Sequence, residues 1–563
     1  MHSAYTYPRY EFRTPPELAQ GPQARYPVVV VGAGPVGLAT AIDLAQQGVS
    51  VVLLDEDETV SLGSRGLCYA KRTIEVLDRL GVGDAVVDKG VTWNLGRTFF
   101  RDEEVYRFNL LPDADHRRPG MINLQQYYLE QFLVERAQSL APTLDLRWKT
   151  KVVGVHAHDT RVLLEVETPE GAHSLEAQWL VACDGARSSL RRTLGLDVQG
   201  RVFQDRFLIA DVVMKADFPP ERWFWFDPPF HPNQSVLLHR EADNVWRIDF
   251  QLGWDADPEI EKQPERVIPR IRAMLGPERE FELEWVSVYT FQCRRMQKFR
   301  HARVLFAGDA AHQVSPFGAR GANSGIQDAD NLAWKLRLVL DGVADEALLD
   351  TYSDERVFAA EENLRNSTRS TDFITPKSAT SRRYRNAVLT LAREHAFARV
   401  LANSGRLSVP TFLRESALNT PDEDEFEGRM FPGAPADDAP VEIDGQDGWL
   451  LSLLGNRFQV LLFAGDAIDL QDVGLPEAQA LQATLDPRWR ALGLEAIYVT
   501  QGATAVAQPA RVAVDHRGVA ARRFDAKPGT VVLLRPDQHV CARWRRFDSA
   551  RLDAALRRAC AVR

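Results

Sequence analysis

Cysteine is scarce in this chain, with five residues among 563. The five are scattered and none belongs to a CxxC pair, so the sequence offers neither a zinc-site spacing nor the framework of a disulfide-stapled domain. They are Cys68, Cys183, Cys293, Cys541 and Cys560. We therefore predict unpaired thiols and no metal site.

Long basic runs and uninterrupted apolar runs are absent as well. The chain carries 68 basic and 78 acidic side chains, a formal net charge of -10, which disfavours binding to nucleic acid or to an anionic membrane. The longest apolar stretch, residues 28–42, is broken by Gly32, Gly34, Pro35 and Gly37 and is too short to span a bilayer. Because the N-terminus lacks the apolar core of a secretory signal, we predict a cytoplasmic protein without a membrane partner.

The chain does contain a glycine-rich turn between an apolar strand and a helix. Four valines at 28–31 lead into Gly32, and apolar residues resume at helical spacing from Leu38. Gly32 permits a tight turn, Gly34 lets a pyrophosphate approach the backbone, and Gly37 allows the helix to pack closely on the strand. This pattern predicts a dinucleotide-binding α/β unit.

Acidic positions recur after later apolar runs. Asp55 ends the next run, about 20 residues after the glycines, where a carboxylate can accept hydrogen bonds from an adenosine ribose. Asp184 with Gly185, and then Gly308 with Asp309, each follow another short apolar run. In this order the motifs predict a flavin-dependent oxygenase that binds FAD.

Over residues 28 to about 375 the sequence resembles the class A flavoprotein monooxygenases, the family of para-hydroxybenzoate hydroxylase, phenol hydroxylase and 3-(3-hydroxyphenyl)propionate hydroxylase. The resemblance implies that FAD is bound noncovalently and reduced by NADH or NADPH. It further implies that O₂ adds at flavin C4a and that the resulting C4a-hydroperoxyflavin passes one oxygen atom to a small aromatic substrate. The matching segments, besides the glycine turn and Asp55, are residues 64–66, 126–130, 183–188 and 308–312.

The same resemblance implies roles for single residues. Asp309 would bind the ribityl chain, and Arg65 and Gln126 would contact FAD. Asp184 and Gly185 would serve both FAD and nicotinamide binding.

The loop at residues 316–323 is expected beside the isoalloxazine ring, where backbone N–H groups can stabilise negative charge on the reduced ring. Arg320 and Ala322 depart from the family, which more often has glutamine and a larger apolar residue at these positions. The loop residues expected to contact flavin or substrate are Pro316, Gly318, Gly321, Ala322 and Asn323.

We predict an α/β fold in which a Rossmann-like FAD-binding domain holds an inserted β-sheet substrate domain. The tail resembles the thioredoxin-like C-terminal domain of phenol hydroxylase and its relatives, and its lack of a CxxC pair indicates a structural role. The predicted segments are an irregular extension at 1–26, the FAD-binding domain at 27–197 and 301–420, the substrate domain at 198–300, a linker at 421–447 and the thioredoxin-like domain at 448–563.

Substrate contacts are predicted on two aromatic-rich strands, at 223–226 and 246–251. Side chains alternate along a strand, so the second strand places its polar residues on one face. We predict a phenol-like substrate whose phenolate or carboxylate is stabilised by Arg247 or His239. The patterns equally fit a sheet core and an ion pair between Arg247 and Asp249. The candidate catalytic residues are Arg247, His239, Tyr289, Gln292 and Pro316.

Two other functions fit parts of the sequence. Residues 223–228 are similar to the Trp-x-Trp-x-Ile-Pro motif of flavin-dependent halogenases, with Asp227 in place of isoleucine, but nothing marks Lys71 as a relay for hypohalous acid. Alternatively, a bound FAD would act as a redox sensor and the C-terminal domain as a docking module. We favour a hydroxylase, and we expect apolar patches of the C-terminal domain to form a homodimer face.

Overall fold

The computed structural model describes residues 5–21, 23–63, 65–402, 407–467, 469–502 and 511–562. Residues 1–4 of the predicted extension and Ser64 of the arginine segment lie outside the described residues. The strands are β1 (Tyr26–Val31), β2 (Val51–Leu54), β3 (Cys68–Ala70), β4 (Val91–Trp93), β5 (Leu95–Phe100), β6 (Glu103–Asn109), β7 (Met121–Asn123), β8 (Leu144–Arg147), β9 (Lys151–Ala157), β10 (Val162–Thr168), β11 (Gly171–Ala182), β12 (Val198–Val213), β13 (Arg222–Phe226), β14 (Ser235–Arg240), β15 (Val245–Leu252), β16 (Glu282–Met296), β17 (Arg300–His301), β18 (Val304–Phe306), β19 (His312–Gln313), β20 (Pro440–Ile443), β21 (Gln446–Trp449), β22 (Gln459–Gly465), β23 (Glu495–Thr500), β24 (Arg511–Val514), β25 (Val531–Leu534) and β26 (Val540–Trp544). The helices are α1 (Pro16–Gln20), α2 (Pro35–Gln46), α3 (Lys71–Arg79), α4 (Gly83–Lys89), α5 (Gln126–Ser139), α6 (Ser189–Thr193), α7 (Pro258–Glu261), α8 (Pro264–Leu275), α9 (Gly321–Leu340), α10 (Ala347–Ile374), α11 (Ala379–Ala392), α12 (Ala396–Ala402), α13 (Ala478–Thr484), α14 (Pro487–Ala491), α15 (Val519–Phe524) and α16 (Ser549–Ala559).

The first sheet carries the dinucleotide-binding unit. Its strands lie in the order β17, β18, β11, β1, β2, β8, and β1 runs parallel to both β2 and β11. The apolar runs of β1 and β2 are buried because helices α2, α5 and α9 pack in the same core. Parallel apolar strands covered by helices confirm the α/β fold that the glycine turn predicts.

The second sheet is antiparallel through most of its width and has the order β19, β16, β12, β15, β14, β13, β5, β6. One face packs on α8 through Trp246, Ile248 and Val267. The opposite face, which carries Phe207 and Phe224, packs on Phe317 and on helices α10, α11 and α12. Strands β5 and β6 belong to the segment predicted for the FAD-binding domain, yet β5 pairs with β13, so the second sheet takes strands from outside residues 198–300.

The N-terminal extension packs as an extended strap across the FAD-binding part. Tyr5 stacks on Tyr127 with ring centroids 4.2 Å apart, and Tyr10 stacks on Trp148 at 4.5 Å. The hydroxyl of Tyr7 accepts a hydrogen bond from the N–H of Gly63 at 3.0 Å. The strap therefore covers the segment that leads to Arg65.

The C-terminal part has a third sheet, in the order β21, β20, β24, β23, β22, β25, β26. Strand β22 is parallel to β23 and antiparallel to β25, and β25 and β26 form an antiparallel pair followed by α16. That this domain is thioredoxin-like stays a prediction. The segment at 421–447, predicted as a linker, packs onto this domain, with Met430, Ala434 and Ala439 buried in its core.

A buried cluster of charged side chains joins the C-terminal part to the FAD-binding part. Glu355 of α10 receives Lys335 of α9 at 2.7 Å and Arg535 at 2.7 Å. Arg535, at the end of β25, also bonds Asp537. Arg72 of α3 donates to the carbonyl of Asp537 at 2.7 Å. Because buried ions are stable only when paired, this cluster fixes how the two parts meet.

Within the described ranges, every helix is too short or too polar to cross a lipid bilayer.

Candidate FAD and substrate site

The predicted cofactor motifs converge at one edge of the first sheet. Gly32 follows β1, Asp55 follows β2, Asp184 follows β11, and Gly308 and Asp309 follow β18. These four strands are neighbours and run parallel, so their carboxyl ends meet. Ligands of open α/β sheets bind in the crevice at this edge.

The three glycines of the turn have three different surroundings. Gly32 has φ 102°, and a Cβ there would lie 2.5 Å from the carbonyl oxygen of Cys183. A Cβ on Gly37 would lie 1.8 Å from the carbonyl oxygen of Gly32. Gly34 directly precedes α2, and a Cβ there would meet no atom within 4 Å. The open side of Gly34 thus lies at the helix N-terminus, where a pyrophosphate is stabilised.

Asp55 braces the glycine turn. One carboxylate oxygen accepts the N–H of Ala33 at 2.5 Å, and the other accepts the N–H of Asp57 at 2.9 Å. Desolvation raises the pKa of Asp55, and the two backbone donors oppose that shift. Its predicted contact with a ribose stays a prediction.

Asp309 lies at the bottom of the crevice. Its side chain is exposed, yet desolvation by the surrounding protein raises its pKa, as expected for a carboxylate at the base of a cleft. Electrostatic interaction with His312 and Arg65 opposes the shift. His312 itself is buried and bonds Asp328 at 2.6 Å, and Asp328 also accepts the N–H of Gly308 at 2.9 Å. His312 and Asp328 therefore order the turn that presents Asp309.

The segment containing Arg65 is held by Gln126. The side-chain oxygen of Gln126 accepts the N–H of Gly66 at 2.8 Å, and its nitrogen donates to Glu130 at 2.7 Å. Arg65 itself is exposed and acts electrostatically on both Asp309 and Tyr289. The structure brings Arg65 and Asp309 to the same crevice.

Asp184 has one oxygen occupied and one orphaned. Its Oδ2 accepts the N–H of Leu190 at 3.0 Å, whereas Oδ1 is buried with no hydrogen-bond partner among the described residues. Gly185 follows with φ 74°. Arg191 donates to the carbonyl of Ala310 at 2.6 Å and so ties this motif to the Asp309 turn. An orphaned acceptor at this edge fits a ligand that carries hydroxyl donors.

The loop at 316–323 is braced by Arg320. Gly318 has φ 108°, and a Cβ there would lie 1.9 Å from Nη1 of Arg320, which donates to the carbonyl of Phe317 at 2.8 Å. Asn323 accepts the N–H of Ala70 at 2.8 Å and fixes the loop to β3. Arg320, which departs from the family pattern, therefore fills the space beside Gly318. Pro316 is exposed, and Gly321 and Ala322 are half-buried in the first turn of α9.

Three of the predicted substrate residues, Arg247, His239 and Tyr289, share one face of the second sheet. Tyr289 is on this face and feels the charges of Arg65 and Asp309. Gln292 is half-buried on β16. His239 is buried, and burial with two nearby arginines lowers its pKa well below its usual value. Of these candidates, Tyr289 lies near the predicted flavin residues, and the substrate roles stay predictions.

Arg247 is already paired. Its guanidinium donates to both carboxylate oxygens of Asp211, at 2.8 and 2.7 Å, and lies 3.2 Å from Glu241. The expected ion pair thus forms with Asp211, because β12 and not β15 supplies the partner. A substrate contact of Arg247 stays a prediction, and a substrate anion would compete with Asp211.

A narrow cavity separates the second sheet from the loop at 316–323. Most of its residues, Arg222 and Phe317 among them, were not among the sequence candidates. Arg222 begins the aromatic run of β13, a pattern that indicates sheet core and gave no sign that this arginine would line a cavity. The cavity is lined by Arg97, Thr98, Phe108, Arg222, Phe224, Phe317, Gly318, Ser370 and Ile374.

Comparison with known proteins agrees with this geometry. Residues 25–367 match the family model of an FAD binding domain, and residues 428–559 match that of the HcaD C-terminal domain. A probable NADH-specific resorcinol 4-hydroxylase of Rhodococcus jostii (strain RHA1) is 31% identical over 531 residues, 91% of each chain. A 6-methylpretetramide 4-monooxygenase of Streptomyces rimosus is 30% identical, over 96% of this chain and 94% of its own.

The chain belongs to the FAD-dependent aromatic monooxygenases. Among solved structures, the flavin-dependent monooxygenase PieE in complex with FAD and substrate aligns with a TM-score of 0.77 at 23% identity, over 96% of this chain and 100% of that one. That likeness supports the fold. No group of three or more His, Cys, Asp or Glu side chains suited to a metal ion occurs among the residues described.

The described residues fit FAD. The open backbone at Gly34, the orphaned oxygen of Asp184 and the carboxylate of Asp309 line one crevice with donors and acceptors for phosphate and hydroxyl groups. When bound, FAD supplies the redox chemistry: its ring accepts a hydride from a nicotinamide, and the reduced ring reacts with O₂.

Replacing Asp309 with alanine is expected to weaken FAD retention about 10- to 100-fold, since hydrogen bonds to a charged acceptor would be lost. The fold should persist because Asp309 is exposed and lies at a turn held by Asp328. FAD affinity of the apoprotein is measured by flavin fluorescence, with circular dichroism as the fold control. An Asp309→Ala variant with unchanged FAD affinity would refute the ribityl assignment.

Proposed function

We propose that this monooxygenase hydroxylates a phenol-type aromatic compound with O₂, and that NADH is its reductant. The observation that carries the proposal is the narrow cavity between the second sheet and the loop at 316–323. Its walls are formed by Phe108, Phe224 and Phe317, and it reaches Gly318. Aromatic side chains beside the flavin loop suit contact with an aromatic ring.

Polar groups at the same cavity would orient the ring. At the cavity they are Arg97, Thr98, Arg222 and Ser370. Tyr289 lies on β16, outside the cavity lining; burial raises its pKa, so it stays a neutral hydroxyl that can donate or accept a hydrogen bond. His239, Arg247, Gln292 and Pro316 remain predicted contacts.

NADH is proposed from the printed name of the Rhodococcus jostii relative, which is described as NADH-specific. The test is stopped-flow oxidation of NADH and of NADPH in the presence of resorcinol, 4-nitrophenol and 3-(3-hydroxyphenyl)propionate. We expect one phenol to accelerate flavin bleaching by NADH and to yield a product heavier by one oxygen atom. Flavin reduction that gives peroxide alone with every phenol would contradict the proposed substrate class, and faster reduction by NADPH would contradict the reductant.

The halogenase alternative is disfavoured by the direction of its motif. Trp223 and Trp225 pack in the core between the second sheet and α8, whereas Phe224 lines the cavity. Lys71 is paired with Glu75 at 2.5 Å. A halogenated product formed in chloride would reverse this preference. A redox sensor would instead show no flavin reduction under any of the conditions above.

Homodimerisation and a cytoplasmic location remain proposals. Within the described ranges, no exposed large apolar side chain lies beyond Val409, so the C-terminal part offers a weaker dimer face than predicted. Exposed apolar side chains gather on α11, α12 and the segment after them, namely Tyr384, Leu391, Phe397, Val400, Leu401 and Val409. Sedimentation velocity of the wild type and of a Phe397→Ser variant tests whether this face joins two copies.

A further inference from the structure

The link between β2 and β3 carries Arg65 to the crevice without regular secondary structure. Its described residues form bends and irregular backbone, so side chains must satisfy their backbone N–H groups. Glu130 of α5 accepts the N–H of Ser61 at 2.6 Å, and Gln126 of α5 accepts the N–H of Gly66 at 2.8 Å. Helix α5 therefore holds this link at two points.

A third point of the link is held by the N-terminal strap. The N–H of Gly63, two residues before Arg65, donates to the hydroxyl of Tyr7 at 3.0 Å. Gly63 has φ 71°, and a Cβ there would lie 2.5 Å from Nε1 of Trp285. The ring of Trp285 thus closes one side of the link and the hydroxyl of Tyr7 holds it from another. Together they fix the backbone that leads into Arg65.

Other contacts attach the strap along the same link. The N–H of Tyr10 donates to the carbonyl of Glu58 at 2.7 Å. Val60 is buried in one apolar cluster with Tyr5 and Tyr127, and the rings of these two tyrosines are stacked. Because Tyr127 belongs to α5, the helix supports the strap while the strap supports the link.

Tyr7 keeps its hydroxyl neutral in this position. Burial raises the pKa of Tyr7, the hydrogen bond from Gly63 opposes the rise, and the carboxylates of Glu284 and Asp211 add to it. A neutral tyrosine oxygen accepts a hydrogen bond from a backbone N–H. The contact between Tyr7 and Gly63 is therefore present throughout the neutral pH range.

Arg65 reaches the FAD site through its charge. Desolvation raises the pKa of Asp309, and Arg65 opposes that rise, which shows that the two side chains are close in space. FAD carries a negatively charged pyrophosphate. An arginine that is held in place before binding attracts it at a smaller cost in conformational entropy than one on a freely moving segment.

We propose that Tyr7 is a positioning residue for FAD, because it fixes Gly63 and so holds Arg65 at the crevice where FAD binds. Through this contact the strap slows the release of the cofactor. The matched FAD binding domain begins at residue 25, so the strap lies outside it. The inference concerns cofactor binding alone, and its test is independent of the proposed substrate and reductant.

The test measures the release of FAD from diluted holoenzyme by the fluorescence of free flavin. Tyr7→Phe keeps the ring and removes the acceptor of the Gly63 N–H, so release should be about fivefold faster, the usual effect of one lost neutral hydrogen bond. Tyr10→Phe is the matched control. Its ring stacks on Trp148 in the same strap, and its hydroxyl makes no hydrogen bond among the described residues, so release should match wild type.

Two further measurements separate positioning from a general loosening of the fold. In an Arg65→Gln background, Tyr7→Phe should accelerate release no further, since the side chain that it positions no longer carries a charge. Added salt should accelerate release from wild type more than from Tyr7→Phe, because salt screens the charge of Arg65. Release from Tyr7→Phe at the wild-type rate would overturn the inference, as would additive effects of the two substitutions or equal salt dependence.

Discussion

Replacing Gly37 with alanine is expected to destabilise the FAD-binding part by roughly 3 kcal/mol and to abolish FAD binding. The new Cβ would lie 1.8 Å from the carbonyl oxygen of Gly32, a backbone atom that cannot rotate away. Helix α2 would have to move off β1, and the turn facing the pyrophosphate would move with it. Chemical denaturation and FAD titration of the purified variant measure the two effects.

Gly34 provides the matched comparison, since a Cβ there meets no protein atom within 4 Å. Gly34→Ala should therefore keep the stability of the apoprotein but lose FAD affinity, because the methyl group occupies the side where a phosphate approaches. Gly253→Ala, at a position equally free of neighbours and outside the crevice, should change neither quantity. Normal FAD binding by Gly34→Ala would show that the phosphates do not lie at this turn.

Glu355→Gln is expected to cost about 3–5 kcal/mol of stability, the usual effect of removing one member of a buried ion cluster. Glu355 is bonded by Lys335, Arg535 and, at 2.7 Å, the amide of Asn331. The positive charges of Arg535 and Lys335 hold the pKa of Glu355 well below its usual value, so Glu355 is ionised at neutral pH. Without its charge, Lys335 and Arg535 would be left in the protein interior with only Asp537 to offset them.

Because the folded-state pKa of Glu355 is depressed, its contribution is present at neutral pH and is lost as the pH falls below the usual range of a glutamate. The wild type should therefore lose stability on acidification more steeply than Glu355→Gln does. Arg557→Gln, which removes an exposed pair with Asp553, serves as control and should leave the melting temperature unchanged. A Glu355→Gln variant as stable as wild type would mean that the cluster does not hold the two parts together.

The cofactor crevice could be predicted from the sequence because its signals are local. Gly32, Gly37 and Asp55 lie in one strand-turn-helix-strand unit, and each is required by the backbone next to it. Asp184 and Asp309 were found in the same way, since each directly follows a parallel strand. Local sequence signals of this kind can be recognised without knowing how distant segments of the chain pack together.

The substrate face could not be predicted, because it depends on register between distant strands. Asp211 and Arg247 are 36 residues apart and meet only through the pairing of β12 with β15. Arg222 stands at the head of an aromatic run whose alternation sends Trp223 to one core and Phe224 to the cavity. A shift of one residue in β13 would exchange these faces, and the sequence alone does not fix that register.

The pairing of β5 with β13 has a consequence for protein engineering. A chimera that exchanges residues 198–300 with the matching segment of a relative would keep β5 and β6 of this chain. The backbone of β5 would then have to pair with a strand of the relative in place of β13. Transplanting substrate preference within this family therefore requires moving residues 95–109 together with the longer segment. If the crossover points are placed only at the ends of the continuous segment 198–300, they separate β5 from β13, two strands that are hydrogen-bonded in one sheet.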